Sequence, residues 1–463
     1  MPYDGEFASK SSHHDIVKNP DVARFLSECE YLKVPSDNEG RELAAQFSEL
    51  PPLNEPLPEK IIAFDGSPHE SQIDNLLPST KVVYVKVGSI LIDLQQFGSL
   101  RVPNGKLVDP FKVAELKNNN DALTFTLPSA NIRWRGKDSV RDGFRAAVDD
   151  HFYGLKTRFR ESDPTTSLRT TLFHLASRRA SNFGTKDPQR LMIHKCPTCA
   201  KGPVEVRDIP GIQFCHECGA EVYPTDCLRL WEQVSDYQSN LRASTIFMNA
   251  VEHLLPIHYM RYLLENSLSS LGSLAFFIDG PLATFDVLDW VHGSIMSYLS
   301  EVVNERLIKA GYPKLLIIGL QKTGQVVDHV KLIERFVERG RIFAINDDYR
   351  YQFILTGRDP SQKGFGSSTY YGQDFIYKTQ SGRVFVFALP YPFASKSGDF
   401  INLKTKFEIY PELARALVLI NHFETDLYKN AVVPVALAHR YTAISLAPGG
   451  RVLDLLTRKA MKT

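Results

Sequence analysis

Leu274-Ala275-Phe276-Phe277-Ile278-Asp279-Gly280-Pro281 and the earlier Ile61-Ile62-Ala63-Phe64-Asp65-Gly66-Ser67 decide how this chain is read. Each is a run of β-prone apolar residues that stops at an acid followed by glycine. Such a run places a carboxylate at the C-terminal end of a buried strand, where the backbone must turn. If the two strands are neighbours in one sheet, Asp65 and Asp279 face the same spot. Two hard oxygen ligands there are the minimum that holds Mg²⁺ or Mn²⁺ for phosphodiester chemistry. The competing reading is that each Asp only caps a turn, because Asp-Gly is a common turn dipeptide.

Working outward, residues 239–268 carry Phe247, Val251, Leu254, Leu255, Tyr259, Tyr262 and Leu263 at helical spacing, with Pro256 as a kink. The second Asp-Gly strand follows directly. After a helical stretch near 287–310 comes a strand at 314–320 that delivers Gln321-Lys322-Thr323. Strand, helix, strand predicts parallel pairing, so Lys322 emerges on the same sheet edge as Asp279. A lysine there can neutralise a phosphate, and the plainer alternative is a solvated helix start. Upstream, 81–87 and 89–94 alternate like a hairpin around Gly88. Downstream, 374–379 and 383–389 flank the turn Gln380-Ser381-Gly382. A helix around 412–423 and the segment 434–444, which sets His439 on an apolar helix, close the chain.

Four of the six cysteines form two pairs, Cys196-Pro197-Thr198-Cys199 and Cys215-His216-Glu217-Cys218, separated by fifteen residues. Each Cys-x-x-Cys turn lets two thiolates converge, and two such turns complete a tetrahedral structural Zn²⁺ site with no open position. With Tyr223 and the strand-like 211–214 this reads as a zinc ribbon, a staple or docking surface and not an active centre. Cys29 and Cys227 have no partners at ligand spacing and read as plain thiols.

The 463 residues, 43% apolar, suit two or three globular domains, and the net charge of +1 leaves any polyanion contact to local patches. No apolar run approaches a membrane span, and Met1-Pro2-Tyr3-Asp4-Gly5-Glu6 lacks signal-peptide character, so a cytoplasmic protein is expected. Residues 1–57 read as an N-terminal arm and linker, 58–130 as the first part of the core, and 239–463 as its remainder. Residues 131–238 form an Arg-rich insertion with the zinc ribbon at about 192–224. Arg158, Arg160, Arg178 and Arg179, interleaved with aromatics, are the candidate DNA-backbone footprint, against the alternative of solvated amphipathic helices.

A strand ending Asp-Gly-Ser, a later strand ending Asp-Gly-Pro-Leu, a strand leading to a lysine, and a C-terminal Pro-x-x-Leu-Ala-His segment together resemble the NurA nuclease family. The resemblance covers 61–67 and most of 240–450; the arginine block and ribbon fall outside the family pattern. It implies an α/β fold with an RNase H-like mixed sheet core and flanking helices. It also implies Mn²⁺- or Mg²⁺-dependent cleavage of DNA by a homodimer working beside a HerA-type hexameric ATPase, in DNA-end resection or antiviral defence. Residue by residue, Asp65 and Asp279 match the family's metal-binding aspartates and His439 its C-terminal histidine.

The family's third acid, a glutamate on the helix before the second Asp strand, has two candidates. Glu265 lies closer to the family spacing. A strand climbs about 3.3 Å per residue and a helix 1.5 Å, which sets the level of Asp279 roughly ten residues before the helix end, between Glu252 and Glu265. The more buried setting, with Val251 and Leu254 at its sides, favours Glu252. Asp347 and Asp348 offer a further acid near the cleft, and Tyr370, Tyr371 and Tyr428 are candidates to stack on unpaired bases, against plain core packing. The other readings are a non-catalytic DNA-binding scaffold and an RNase H-like enzyme of RNA or hybrids.

Overall fold

The computed structural model describes residues 11, 13–29, 34–99, 120–179, 185–355, 364–396, 398–425, 427–428, 431–446 and 448–461, so Met1 to Glu6 lie outside it. β1 (Lys60–Asp74) and β2 (Leu77–Asp93) form a long antiparallel hairpin, and β3 (Asn120–Pro128) pairs antiparallel with β2. On its other side β1 runs parallel to β8 (Leu274–Asp279), which runs parallel to β9 (Leu316–Gln321). An antiparallel meander whose first strand continues into two parallel strands is the RNase H-like arrangement. β12 (Val384–Pro390), β11 (Gly372–Lys378) and β10 (Arg341–Ala344) extend it antiparallel, giving an eight-stranded sheet in the order β10-β11-β12-β9-β8-β1-β2-β3.

Two expectations need correction. Gly88 is no hairpin turn: β2 is continuous through it, and Gly88 lies opposite Asp65 in the register. Asp65-Gly66 is no turn either, because β1 runs on to Asp74. What ends at Asp65 is the pairing with β8, whose last partners are Phe64 and Ile278. The two strands therefore part at their aspartates. Asp279 does end its strand, and Gly280 follows at φ 92°, a conformation natural only to glycine.

Period-two alternation divides β1 and β8 between two cores. Ile62, Phe64, Phe276 and Ile278 face one core; Ile61, Ala63, Ala275 and Phe277 face the other. The first is covered by α1 (Val140–Tyr153), α2 (Leu168–Ala176) and α3 (Leu241–Asn266), which continues through Pro256 without a break. A segment Asp289–Tyr298, α4, lies on the same side, and α5 (Gln325–Ile333) follows β9. The second core is covered by α6 (Leu413–Phe423) and α7 (Val433–Thr442).

The cysteine-bearing hairpins β4–β5 (Arg190–Ile193 with Val204–Arg207) and β6–β7 (Gln213–Phe214 with Glu221–Val222) are sewn into the first core. Leu191, Ile193, Val206 and Val222 join its cluster. The arginine-rich block packs there too, largely through internal pairs. Buried Arg145 meets Asp226 at 2.7 Å, and Arg169 bridges Asp149 and Asp208 at 3.0 and 2.9 Å. Among the described residues no helix is long and apolar enough to cross a membrane.

Candidate active site

By alternation Asp65 falls in phase with Ile61 and Ala63, and Asp279 with Ala275 and Phe277, so both carboxylates project toward α7 where their strands separate. β9 brings Lys322 to the same edge, its ammonium 2.6 Å from Asp279 and 3.8 Å from Asp65. From α7, His439 Nδ1 stands 3.3 Å from Asp65, and the Thr442 hydroxyl donates to the same carboxylate. Carboxylate oxygens of Asp65 and Asp279 and a ring nitrogen of His439 all lie within 4.8 Å of one another.

Glu252 approaches from the other face of the sheet, on α3. It reaches the site because position 66 is glycine: a Cβ there would stand 2.9 Å from the Glu252 carboxylate and 2.7 Å from Met248 Cγ. The glycine of Asp65-Gly66 thus serves as a window for an acid and not as a turn. Glu252, His253, Met248, Asn249, Lys322, His439 and the two aspartates line one cavity of about 520 Å³. Glu265, near the end of α3, is exposed and outside that lining.

The acids crowd one another. Burial, then the hydrogen bond and charge of Asp65, push the Asp279 carboxyl up to about 7. Burial also opposes ionisation of Asp65, yet hydrogen bonds from His439, Asp279 and Thr442 and the Lys322 charge hold it below its ordinary value. Burial and both aspartates drive Glu252 well above the carboxylate range. Its bond to Asp65 pulls His439 upward. Three acids with one lysine beside them are short of positive charge, and hard oxygens with one imidazole are the donor set that a divalent cation of the Mg²⁺ or Mn²⁺ type takes.

Several other expected site residues are accounted for elsewhere. Tyr371 is buried with its hydroxyl 2.7 Å from His253 Nδ1, so it offers no open ring face to a base. Tyr428 packs against the α6–α7 core. Asp347 pairs with Lys404, and neither it nor exposed Asp348 lines the cavity. Arg158 donates to the carbonyls of Tyr153 and Glu161, Arg160 to Asn266, Arg178 to Glu301, and Arg179 to the Met192 carbonyl while lying over the Trp290 ring. Thr442 was not anticipated, although its spacing of three from His439 puts both on one helix face.

In the ribbon, Cys196 and Cys218 sulfurs lie 3.8 Å apart and those of Cys199 and Cys215 3.9 Å, all four within 4.8 Å, with no disulfide. Thiolates at about 2.3 Å from a tetrahedral ion are about 3.8 Å from one another, so the arrangement fits one.

Acids meeting where the central parallel strands of an RNase H-like sheet diverge mark the nuclease class. The NurA domain family matches residues 59–444. The chain belongs to the NurA family of nucleases. Among solved structures it is similar to the NurA nuclease from Sulfolobus solfataricus (9% identity, TM-score 0.34, covering 98% of this chain and 95% of that one). It is also similar to a second NurA structure (11% identity, TM-score 0.25, 97% of each chain). No curated protein matches.

The window makes a prediction. Gly66→Ala is expected to displace Glu252 and lower nuclease turnover by about tenfold to a hundredfold, since a shift near 1 Å carries penalties of that order. Turnover equal to wild type at an unchanged melting temperature would show that the carboxylate needs no such passage.

Proposed function

We propose that this chain hydrolyses phosphodiester bonds of DNA, with divalent metal, Mn²⁺ or Mg²⁺, held by Asp65, Asp279, Glu252 and His439. The observation that carries this reading is the convergence of Asp65 and Asp279 from adjacent parallel strands, with Lys322 2.6 Å from one of them. Such a metal, when bound, supplies an activated water and offsets charge on the phosphate. Lys322 sits where it can turn from Asp279 to a non-bridging phosphate oxygen and neutralise it. His439, half-exposed and oriented by Asp65 through Nδ1, has one ring nitrogen left, which serves either as that metal ligand or, when unligated, to carry a proton to the departing oxygen. Thr442 keeps Asp65 ionised and oriented toward the cavity.

NurA membership supports the partners proposed with it: a HerA-type hexameric ATPase, and a second copy of the chain as homodimer. Copurification with such an ATPase and light scattering of the isolated chain test both. The nuclease reading is tested by incubating the full chain with matched DNA, RNA and hybrid substrates in Mn²⁺, Mg²⁺ or EDTA. The expected result is metal-dependent release of nucleotides from DNA. Binding without hydrolysis of any substrate would favour a scaffold, and preference for RNA or hybrids would move the substrate class.

For the four cysteines we propose structural Zn²⁺. Cys215→Ser is expected to reduce bound metal from about one zinc per chain to background by elemental analysis, and to lower the melting temperature by several degrees. Full zinc occupancy in that variant would exclude the four-thiolate site.

A further inference from the structure

One polar side chain of the catalytic cavity has no part in the chemistry above. His253 follows Glu252 on α3 and is buried, yet it lines the cavity together with Asp279, Gly280 and Lys322. Its Nδ1 meets the Tyr371 hydroxyl at 2.7 Å, and the two rings stand edge to face, 5.5 Å apart at 88°. Among the described residues neither the phenol nor the imidazole has another hydrogen-bond partner.

This pairing fixes where the imidazole carries its proton. Burial pushes ionisation of the Tyr371 phenol above its ordinary range, so the hydroxyl keeps its hydrogen, and a buried donor left unpaired is costly. Its one acceptor is His253 Nδ1. A proton on Nδ1, in the other neutral tautomer or in the imidazolium, would leave the phenol hydrogen without a partner. The form that satisfies both groups is the neutral ring with its hydrogen on Nε2. The lone pair of Nδ1 is then occupied, so His253 has none to offer a metal ion, whereas His439 keeps a ring nitrogen for one. Tyr371 is itself held in place: its amide donates to the Leu282 carbonyl at 2.8 Å and its carbonyl accepts from the Tyr391 amide at 2.9 Å. Leu282 lies three residues beyond Asp279, so the phenol and imidazole keep a set position relative to that aspartate. None of the three cavity acids takes the Nε2 hydrogen, which leaves it for an acceptor that enters with the substrate.

We propose that His253 donates through Nε2 to a non-bridging oxygen of the substrate phosphate, with Tyr371 as the positioning residue that fixes its tautomer. This rests on the nuclease reading above and adds to it an uncharged donor. Such a donor strengthens its bond as negative charge grows on the phosphate oxygen. Unlike a second lysine, it does so without competing with the metal for the three acids.

The test has two arms, both on the full chain. In EDTA at neutral pH, nitrogen NMR of ¹⁵N-histidine-labelled protein reads the tautomer, the His253 signals being those lost in His253→Gln. The expected pattern is a neutral ring protonated on Nε2 in wild type and a mixture of tautomers in Tyr371→Phe; an Nδ1-protonated or charged ring in wild type would overturn the proposal. In Mn²⁺, cleavage is measured on DNA carrying a single phosphorothioate of either configuration. His253→Ala is expected to lower kcat by about tenfold to a hundredfold with little change in KM. His253→Gln, whose amide N–H extends to nearly the place of Nε2–H, should recover most of that loss and so exclude misfolding as the cause. Sulfur accepts hydrogen bonds poorly, so one phosphorothioate should slow wild type more than it slows His253→Ala, the coupling expected of two groups in contact. Full turnover in His253→Ala, or the same sulfur penalty in both proteins for both configurations, would overturn the phosphate contact while leaving the nuclease reading in place. Absence of any cleavage by wild type would fell the nuclease reading and the phosphate contact together, with the tautomer still decided by NMR.

Discussion

Asp279→Asn should abolish metal-dependent cleavage and make the metal-free protein more stable. The first effect follows from losing a metal carboxylate: several kcal/mol of transition-state charge stabilisation corresponds to about a thousandfold or more in rate. The second follows from the crowding at the site. Holding a carboxyl at about 7 in place of its ordinary 3.8 costs the ionised form up to about 4 kcal/mol at alkaline pH. The sign is set by linkage: a raised folded-state pKa means that this carboxyl's contribution to stability is fully present below about pH 4 and is lost as pH rises through about 7. Denaturant titrations in EDTA should therefore give wild type and Asp279→Asn nearly equal stability near pH 4. The variant should be more stable by a few kcal/mol at pH 8, and Mn²⁺ should narrow that gap by stabilising wild type alone. A variant less stable than wild type at pH 8 would mean that Lys322 already compensates the acids fully.

Glu252→Gln and Glu265→Gln should differ sharply. Glu252 lines the cavity, and both aspartates raise its pKa, so its amide analogue should cost at least about a hundredfold in turnover while the metal-free melting temperature rises. Glu265 is exposed at the far end of the same helix, and its amide should retain wild-type turnover and stability within experimental error. Paired steady-state assays with Mn²⁺ check both. A severe loss in Glu265→Gln with full activity in Glu252→Gln would reverse the assignment and restore the choice that family spacing alone suggests.

Much of this arrangement was legible in the residues because the relevant patterns are local. Apolar runs ending in Asp, a strand–helix–strand order leading to Lys322, and paired cysteines each report short-range geometry, and the sheet places Asp65, Asp279 and Lys322 on one edge as that order requires. Gly66 and Gly88 were misread because a glycine in a strand permits either a turn or a close approach, and only the partner across the gap decides which. For Gly66 that partner is Glu252, 186 positions along the chain and on the opposite face of the sheet. The arginine block was ambiguous for a similar reason. Basic residues at helical spacing look alike whether they meet phosphates or distant acids, and Asp149, Asp208 and Asp226 are distant in sequence from the arginines they hold. Tyr371 reads equally well as a base-stacking or a core residue in the sequence, because nothing local reports His253, 118 positions away, whose ring meets its hydroxyl.

Anomalous diffraction from crystals of the full chain soaked in Mn²⁺ tests the central claim most directly. The account predicts a manganese peak about 2.1 Å from carboxylate oxygens of both Asp65 and Asp279, or two peaks that share them, and none in Asp279→Asn crystals. Manganese bound away from both aspartates, or no manganese at a concentration that supports cleavage, would contradict it.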